Sequence, residues 1–512
     1  MPESPELPLS DVVTASTEVG RTRSRLAKVA ALSGLLHRAR GPEEVEIAVA
    51  FLSGTPRQGR VGVGWRTLRA ATGAPAASAT LTAAGVDAAL TALAGASGKG
   101  SAGVRAELLE RLMGAATEAE QRFLVALLTG ELRQGALEGV MLEAIATAAE
   151  VPSAAVRRAF MLSGGLPATA RAALAGGVAA LEGFRLELHR PVRPMLASPG
   201  SSLQEAVADL APCAVEYKLD GARIQVHKGG GRVSVYTRTL REITGSVPEL
   251  VELVAGLPCE SVVLDGETLA LTDDGRPRPF QETMSRFGST AEEQVAALLL
   301  RPWFFDCLHL DGEDLLDEPL RVRGEKLRAA AGGHLVPGVL APTAEQAEEL
   351  TEAALAAGHE GVVVKSLDSA YAAGRRGKAW QKVKPVHTLD LVVLAAEWGH
   401  GRRTGYLSNL HLGARDPDGG PPVMVGKTFK GLTDQLLQWQ TEEFPAHESH
   451  RDDWAVHLKP AVVVEIALDG VQVSTRYPGQ VALRFARVVR YRPDKTPAEA
   501  STIDEVRALL PR

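Results

Sequence analysis

Several residue types are scarce in this chain of 512 residues, and each scarcity narrows what the chain can be. Its three cysteines, Cys213, Cys259 and Cys307, are widely spaced and offer neither a disulfide framework nor a four-cysteine zinc site. No run of 18 apolar residues occurs, and the segment Met1–Leu9 is acidic and proline-rich, without an apolar stretch. The sequence therefore predicts a protein of the reducing cytoplasm that is neither secreted nor inserted in a membrane.

Lysine is also scarce, because it supplies only 13 of the 56 basic residues. The abundance of Ala, Gly and Arg is that expected from the GC-rich genome of a bacterium. Lysine can lose its proton whereas arginine effectively cannot, so each lysine is a candidate for chemistry, with a solvated surface position as the alternative. The net charge is −6, so a nucleic-acid-binding function requires the basic residues to be concentrated locally.

Composition and periodicity divide the chain into three parts. Residues 1–187 show helical periodicity and almost no strand-like alternation, which predicts an all-α domain. Residues 188–387 begin with a proline-rich linker and continue as alternating strands with intervening helices, which indicates a mixed α/β domain. Residues 388–512 contain short strands and few helices, as in a small β-barrel of the OB type. Individual expectations include helices at Glu292–Leu300, at Ala344–Ala357 and near Asp434–Glu443, and one strand over Val481–Val489.

One stretch near the middle organises the rest, Glu216-Tyr217-Lys218-Leu219-Asp220-Gly221-Ala222-Arg223. If it is a strand, its charged residues share one face, with a lysine between two carboxylates. Asp220-Gly221 is a tight-turn signal, and a hairpin there would bring Lys218 and Arg223 to one pocket wall.

The octet contains the form K-x-D-G-x-R, and six further short segments follow it over about 280 residues. In chain order they are Tyr236-Thr237-Arg238, Leu264-Asp265-Gly266-Glu267, Phe304-Phe305-Asp306, Glu360-Gly361-Val362-Val363-Val364-Lys365, Lys382-Val383-Lys384 and Arg484-Phe485-Ala486-Arg487-Val488-Val489-Arg490-Tyr491-Arg492-Pro493-Asp494-Lys495. Any one of them is weak evidence, but seven in this order are very improbable by chance.

This series resembles the covalent nucleotidyltransferases, and its order is that of the ATP-dependent DNA ligases. The helical N-terminal part is similar to the DNA-binding domain of the larger cellular and archaeal-type ligases. The resemblance implies a multidomain protein with an all-α DNA-binding domain (1–187), an α/β nucleotidyltransferase or adenylation domain (188–387) and a C-terminal OB-fold β-barrel (388–512). It implies ATP and Mg²⁺ as cofactors and nicked duplex DNA as the partner, encircled by a monomer associated with the nucleoid.

In the family, a lysine attacks the α-phosphate of ATP, and the resemblance assigns that catalytic role to Lys218. A free lysine has a pKa of about 10.4, so only about one in a few thousand is deprotonated at neutral pH. Nearby cations, Mg²⁺ or desolvation favour the neutral nucleophile, whereas pairing with Glu216 or Asp220 opposes it. We therefore expect Glu216 to face the adenine, as the matching glutamate does in the family.

The resemblance also implies roles for the remaining motif residues. Phe305 is expected to stack on the adenine, and Arg223 and Arg238 to contact the ribose and phosphates. Glu267 is expected on the ribose and metal side and Glu360 at the metal, since carboxylate oxygens suit Mg²⁺.

The cations downstream are assigned to the phosphates. Lys382 and Lys384 alternate with Val383 and are expected to neutralise phosphate charge in the transition state. Arg376 is expected to make a further nucleotide contact, with Arg375 as the alternative. Arg492 and Lys495 are expected to touch the leaving pyrophosphate only when the small barrel closes over the site.

Three rival functions remain open on the sequence. An RNA ligase or a GTP-using capping enzyme shares the central motifs but usually lacks a large helical domain ahead of the lysine. An NAD-dependent ligase is disfavoured because zinc cysteines are missing. A silent DNA-binding clamp predicts a broken motif, and none is evident.

Overall fold

A computed structural model gives the fold, and it describes residues 6–59, 61–98, 100–132, 137–272, 275–278, 280–287, 299–372 and 376–510. Among these residues, no helix combines the length and the apolar character needed to cross a membrane.

The described residues of the N-terminal part form helices joined by loops, as predicted, with one isolated bridge between Pro8 and Thr82. Its helices are α1 (Leu9–Arg21), α2 (Arg25–Arg38), α3 (Pro42–Leu52), α4 (Trp65–Ala71), α5 (Ala83–Gly95), α6 (Ser101–Ala115), α7 (Glu118–Thr129), α8 (Leu137–Ala148), α9 (Ser153–Ser163) and α10 (Leu166–Glu182). The Ser24 hydroxyl caps α2 by accepting from the Ala27 N–H, which separates α1 from α2. Buried residues of these helices, from Leu9 to Leu181, form one continuous core.

The central part contains two five-stranded sheets. Its strands are β1 (Leu196–Pro199), β2 (Cys213–Tyr217), β3 (Ala222–Gly229), β4 (Arg232–Thr237), β5 (Val262–Ala270), β6 (Leu300–Leu310), β7 (Glu313–Asp314), β8 (Gly338–Leu340), β9 (Val362–Ser366) and β10 (Arg376–Val383). Its helices are α11 (Leu203–Leu210), α12 (Pro248–Ala255), α13 (Phe280–Arg286), α14 (Leu320–Ala331) and α15 (Ala344–Ala356). The first sheet has the order β1-β10-β9-β2-β8 and the second β4-β3-β5-β6-β7.

The predicted hairpin at Asp220-Gly221 is wrong, because β2 and β3 belong to different sheets. Both edges of β2 are occupied, one by β8 and the other by β9. β3 pairs instead with β4 and β5. The turn signal therefore marks the place where the chain crosses from one sheet to the other.

The C-terminal part is strand-rich. Its strands are β11 (His387–Trp398), β12 (Leu407–Ala414), β13 (Val423–Thr428), β14 (Glu448–Arg451), β15 (Ala455–Leu458), β16 (Val463–Leu468), β17 (Gly470–Val473), β18 (Val481–Arg484) and β19 (Arg487–Tyr491), with helices α16 (Asp434–Glu443) and α17 (Ile503–Ala508). The long strand β11 pairs with β12, β15 and β16, so one strand connects most of the sheet. The fold class is thus the predicted one: an all-α domain, an α/β domain and a C-terminal barrel of the OB type.

Two local expectations need correction. The single strand predicted over Val481–Val489 is two strands, because Phe485 has a φ of +54°, a left-handed conformation that ends β18. β18 then pairs with β17, and β19 pairs with β16. The helix predicted at Glu292–Leu300 falls mostly on residues 292–298, outside the described residues, and Leu300 begins β6.

A buried ion pair holds the strand that carries Phe305. Asp306 and Arg323 are both 0% exposed, and two hydrogen bonds of 2.7 and 2.9 Å join the Arg323 guanidinium to the carboxylate. The guanidinium also donates to the carbonyl oxygens of Glu318 and Ser369. A fully satisfied pair of this kind fixes β6 against α14.

Removing one member of this pair leaves the other as a buried, uncompensated charge. Arg323→Met is expected to lower the free energy of opening of β6 by about 3–5 kcal/mol, measured by amide hydrogen exchange. The matched control is Arg321→Met, on the same helix as Arg323. This substitution removes the exposed ion pair between Arg321 and Asp368 and is expected to change the free energy of opening little. Equal effects of the two substitutions would contradict the assignment.

Candidate active site

A cavity of about 440 Å³ lies between the two central sheets. The first sheet contributes residues from β1, β2, β9 and β10, and the second contributes residues from β3, β4, β5 and β6. The charged residues of its lining are Glu216, Lys218, Arg223, Arg238, Arg241, Glu267, Lys365 and Lys382. A pocket with this many cations suits a polyanionic ligand.

Lys218 is placed by backbone contacts just beyond the end of β2. Its N–H donates to the Gly361 carbonyl oxygen at 2.8 Å, and its own carbonyl accepts from the Glu360 N–H at 3.0 Å. The ammonium donates to the Glu360 carboxylate, so its ionic partner comes from the segment before β9. The partner is neither of the carboxylates beside it in sequence.

Gly221 lets the chain cross between the sheets at this point. A Cβ on Gly221 would lie 2.5 Å from the Thr268 carbonyl oxygen and 2.9 Å from Cγ of Glu267. Only glycine allows this close approach to β5 without displacing its backbone. Glu267 and Lys218 therefore line one cavity.

An aromatic and ionic cluster occupies another part of the lining. Lys365 Nζ donates to Glu216 Oε2 at 2.5 Å and lies 4.4 Å from the ring centroid of Phe305 and 4.5 Å from that of Trp380. Phe305 and Trp380 meet edge to face with centroids 6.0 Å apart. As predicted, Glu216 does not pair with Lys218.

Hydrogen bonds within the protein hold the side chain of Arg223 in place. Its guanidinium donates to Asp265 at 3.0 and 2.6 Å and to the Met195 carbonyl oxygen at 2.7 Å. Arg223 lines the cavity, but most of its donors are used within the protein. The contact to ribose or phosphate stays a prediction.

Two other cations of the cavity lining, Arg238 and Lys382, form no salt bridge within the described residues. Arg238 is exposed and makes no ion pair within the described parts of the chain. Lys382 is half-buried, and burial together with the Lys384 and Lys218 cations lowers the pKa of its ammonium. Both are suited to an incoming anion because binding it breaks no existing salt bridge in the described residues.

Three carboxylates lie near Lys218, those of Glu360, Glu267 and Asp220. Burial raises the pKa of Glu267 to about 7, against the opposing effect of Arg223 and Lys218. Burial works to raise the pKa of Asp220 as well, but Arg484 outweighs it and holds that pKa below its usual value. No group of three or more His, Cys, Asp or Glu side chains in the described ranges forms a ready metal cage.

The C-terminal domain reaches this site directly. Arg484, at the end of β18, donates to both oxygens of Asp220 at 2.8 and 3.2 Å, and lies 3.7 Å from Glu360. Lys384 donates to Asp469 at 2.5 Å and lies 3.9 Å from Glu360. Cations and carboxylates of two domains thus form one network beside Lys218.

The remaining predicted residues lie elsewhere. Lys384 does not line the cavity, although Lys382 does. Arg492 and Lys495 both bind Asp390 within the C-terminal part, at 3.1 and 2.6 Å, so a pyrophosphate contact requires another placement of this domain. The side chain of Arg376 and all of Arg375 lie outside the described residues.

Three parts of the chain match known family profiles. The sequence matches the profile described as ATP dependent DNA ligase domain over residues 194–384. It also matches DNA ligase N terminus over residues 67–146 and ATP dependent DNA ligase C terminal region over residues 403–495.

The chain belongs to the ATP-dependent DNA ligases. It is 68% identical over 499 residues to a probable DNA ligase of Saccharopolyspora erythraea, covering 98% of this chain and 97% of that protein. It is 67% identical over 503 residues to a probable DNA ligase of Rhodococcus jostii, covering 98% and 99%. The solved structure Pmar-Lig_PreS3 shares the fold with a TM-score of 0.61 at 16% identity, covering 94% of this chain and 99% of that one.

Three residues of the candidate site received no role from the sequence: Lys365, Asp469 and Arg484. Lys365 and Arg484 lie in the motif segments quoted above, whereas Asp469 lies in none. For Lys365 a signal existed, since a lysine follows three valines in a lysine-poor chain and shares a strand face with Val363. For Asp469 and Arg484 no local pattern indicates a partner, because each contact joins two domains.

The contact between Arg484 and Asp220 is expected to hold the ligase domains closed. Arg484→Met should shift the equilibrium towards the open arrangement by about 1 kcal/mol, roughly fivefold, because the pair is only partly buried. Energy transfer between dyes on the two domains measures the shift, and added salt should act in the same direction. Arg490→Met, which breaks a pair inside the C-terminal sheet, is the control; a matching shift in the control would refute this role.

Proposed function

We propose that this DNA ligase seals nicks through a covalent adenylate on Lys218. In the first step the Lys218 Nζ attacks the α-phosphorus of ATP. An N–P bond forms, the bond from that phosphorus to the pyrophosphate oxygen breaks, and Nζ loses a proton. The observation that carries the proposal is the position of Lys218 in a cationic cavity that Arg238 and Lys382 also line.

The ion pair with Glu360 bears on this step. An ammonium bound to a carboxylate is protonated and cannot attack. Lys218 must therefore leave Glu360 or pass a proton towards it before the N–P bond forms. The cations of Arg484 and Lys384, 3.7 and 3.9 Å from Glu360, are available to hold the carboxylate once Lys218 departs.

The cavity lining supports the roles expected for the nucleotide contacts. Glu216 and Phe305 would bind the adenine, one by hydrogen bonding and the other by stacking. Arg238, Lys382 and Arg223 would bind the ribose and phosphates, as would Arg376. Lys384, Arg492 and Lys495 would take part when the C-terminal domain changes its placement.

Mg²⁺ fits the donor set, although fewer protein ligands are available than a dedicated cage provides. Glu267 and Glu360 would hold it, because their half-buried carboxylates offer hard oxygen ligands and Mg²⁺ usually keeps several waters and substrate oxygens. When bound, Mg²⁺ supplies positive charge that stabilises the phosphates in the transition state. Burial raises the pKa of Glu267 to about 7, and added positive charge beside the carboxyl would favour its ionised form.

The later steps use the nick. The adenylate would pass to the 5′-phosphate, and the 3′-hydroxyl would then attack that phosphate and release AMP. The three domains, at 1–187, 188–387 and 388–512, would encircle the duplex as a monomer and bind mainly its phosphates. Replication, repair and recombination all leave such nicks, and sealing in these processes is part of the proposal.

The Lys218→Ala substitution separates formation of the enzyme adenylate from the final sealing step. This substitution is expected to reduce sealing of a nick with ATP by several orders of magnitude, because the nucleophile is lost. Sealing of a nick that already carries the 5′-adenylate should be retained, since no new lysine adduct is required. Lys326→Ala, which removes a lysine paired with Glu313 in the same domain, should leave both reactions intact. Full ATP-dependent sealing by Lys218→Ala would exclude the proposed nucleophile.

Phe305→Ala tests the stacking role. The KM for ATP in adenylate formation is expected to rise roughly 5- to 150-fold, equivalent to about 1–3 kcal/mol for one stacked base. Phe305→Trp keeps an aromatic face and should restore most of the affinity. The role is rejected if alanine and tryptophan variants show the same KM as the wild type in steady-state assays.

A further inference from the structure

We infer that Asp390 is a positioning residue that keeps the side chains of Arg492 and Lys495 in a resting cluster. The resting cluster consists of these three residues and Asp494, and it must open before the two cations bind pyrophosphate. The inference rests on the proposed function, in which Arg492 and Lys495 contact the leaving pyrophosphate. Asp390 lies on β11, outside every motif segment of the sequence, and it acts through the two cations and not on the reacting atoms.

Both cations share the carboxylate of Asp390. Arg492 Nη1 donates to its two oxygens at 3.1 and 3.2 Å, and Lys495 Nζ donates to Oδ2 at 2.6 Å. The side chains of Asp390 and Arg492 are 15% and 14% exposed, and that of Lys495 is 31% exposed. Because little water screens these contacts, the carboxylate attracts the two cations more strongly than an exposed one would.

A second carboxylate completes the resting cluster. Arg492 Nε and Nη2 donate to Asp494 at 2.9 and 2.7 Å, so all three guanidinium nitrogens face a carboxylate. The hydrogen bond from Arg492 lowers the pKa of Asp494 to about 2, which keeps Asp494 ionised at neutral pH. A third carboxylate, that of Glu465, lies 3.7 Å from Nη1 but accepts from Arg490 at 2.7 Å. The positive charge of the resting cluster is therefore balanced within the protein, where it cannot attract a pyrophosphate fully.

The backbone around the resting cluster is fixed, so only side chains need to move when it opens. The Arg492 N–H donates to the Val463 carbonyl oxygen at 2.8 Å, which ties this segment to β16. The Ser501 N–H donates to the Asp390 carbonyl oxygen at 2.8 Å, and the Asp390 N–H donates to the Ser501 hydroxyl at 3.2 Å. None of these bonds uses the Asp390 carboxylate. Its charge can therefore be removed without breaking a backbone contact.

Pyrophosphate and Asp390 compete for the same donors. Pyrophosphate carries more negative charge than one carboxylate, so it can displace Asp390 when the C-terminal domain brings the two cations to the leaving group. Each binding event must first break the contacts of Asp390 with Arg492 and Lys495, and this cost weakens the net affinity. Removing the carboxylate charge is consequently expected to tighten the binding of pyrophosphate.

The test measures the reversal of adenylate formation without DNA. In this reaction a pyrophosphate oxygen attacks the phosphorus of the Lys218 adenylate, the N–P bond breaks, Nζ gains a proton and ATP is released. Asp390→Asn is expected to lower the KM for pyrophosphate about fivefold, since two partly exposed ion pairs no longer have to break. Asp390→Glu keeps the charge and should retain the wild-type KM.

Two controls isolate the effect of the Asp390 charge. Glu397→Gln changes the other carboxylate of β11, which Lys427 and His411 share, and should leave the KM for pyrophosphate unchanged. Sealing of a nick that already carries the 5′-adenylate involves no pyrophosphate, so its rate in Asp390→Asn should equal that of the wild type. If Asp390→Asn melts below the wild type, Asp390→Ser replaces it with the same expected fall in KM.

Three outcomes overturn the inference. The first is an unchanged KM for pyrophosphate in a folded Asp390→Asn or Asp390→Ser variant. The second is a raised KM, which would mean that Asp390 orients the cations for pyrophosphate. The third is an equal loss of rate in the reversal and in sealing of the adenylated nick, which a structural role would give.

Arg492→Met and Lys495→Met test the proposed function separately. If both variants raise the KM for pyrophosphate while Asp390→Asn does not lower it, only the role of Asp390 is refuted. If neither variant changes this KM, the pyrophosphate contact itself is refuted.

Discussion

The hydrogen-bonded ion pair between Lys218 and Glu360 is the contact on which the rest of the site depends. It joins the segment after β2 to the segment before β9, and two backbone hydrogen bonds between the same segments reinforce it. At this point the chain leaves one sheet for the other, and Gly221 permits the crossing. The proposed nucleophile is therefore held at the junction of the two sheets, where the cavity opens.

The same pair couples the cavity to the C-terminal domain. Glu360 is shared by Lys218, Arg484 and Lys384, while Asp220 and Asp469 bind the two latter cations. Phosphates entering this network would compete with the carboxylates for the cations. Nucleotide binding and the placement of the C-terminal domain are thus expected to influence each other through charge, without any separate mechanical connection.

Local sequence patterns predicted the features that depend on residues close together in the sequence, such as the ends of helices. Helix α16 has the predicted bounds, and the capped helix α15 differs by one residue, because caps and apolar periodicity lie within the segment itself. The sequence also placed Glu216, Lys218, Glu267 and Phe305 in one site, since a series of motifs carries more information than one. The three-domain fold class followed from the same changes in periodicity.

The wrong and missing predictions have a common cause, because contacts between segments distant in the sequence override or escape the local patterns. The Asp220-Gly221 turn signal is real, but β8 and β9 occupy the edges of β2 and exclude a hairpin. Phe485 takes a left-handed conformation that a hydrophobic strand pattern does not reveal. The partners of Lys365, Arg484 and Lys384 are 149, 264 and 85 residues distant in sequence, beyond any local pattern.

Peptide mass mapping tests the central claim, that Lys218 is the nucleophile of the nucleotide cavity. The protein is incubated with ATP and Mg²⁺ in the absence of DNA, and the modified peptide is sequenced by fragmentation under conditions that preserve the acid-labile N–P bond. A single adenylate on Lys218, formed with release of one pyrophosphate, is the predicted result. An adenylate on another residue, or none on an enzyme that seals nicks with ATP, would contradict it.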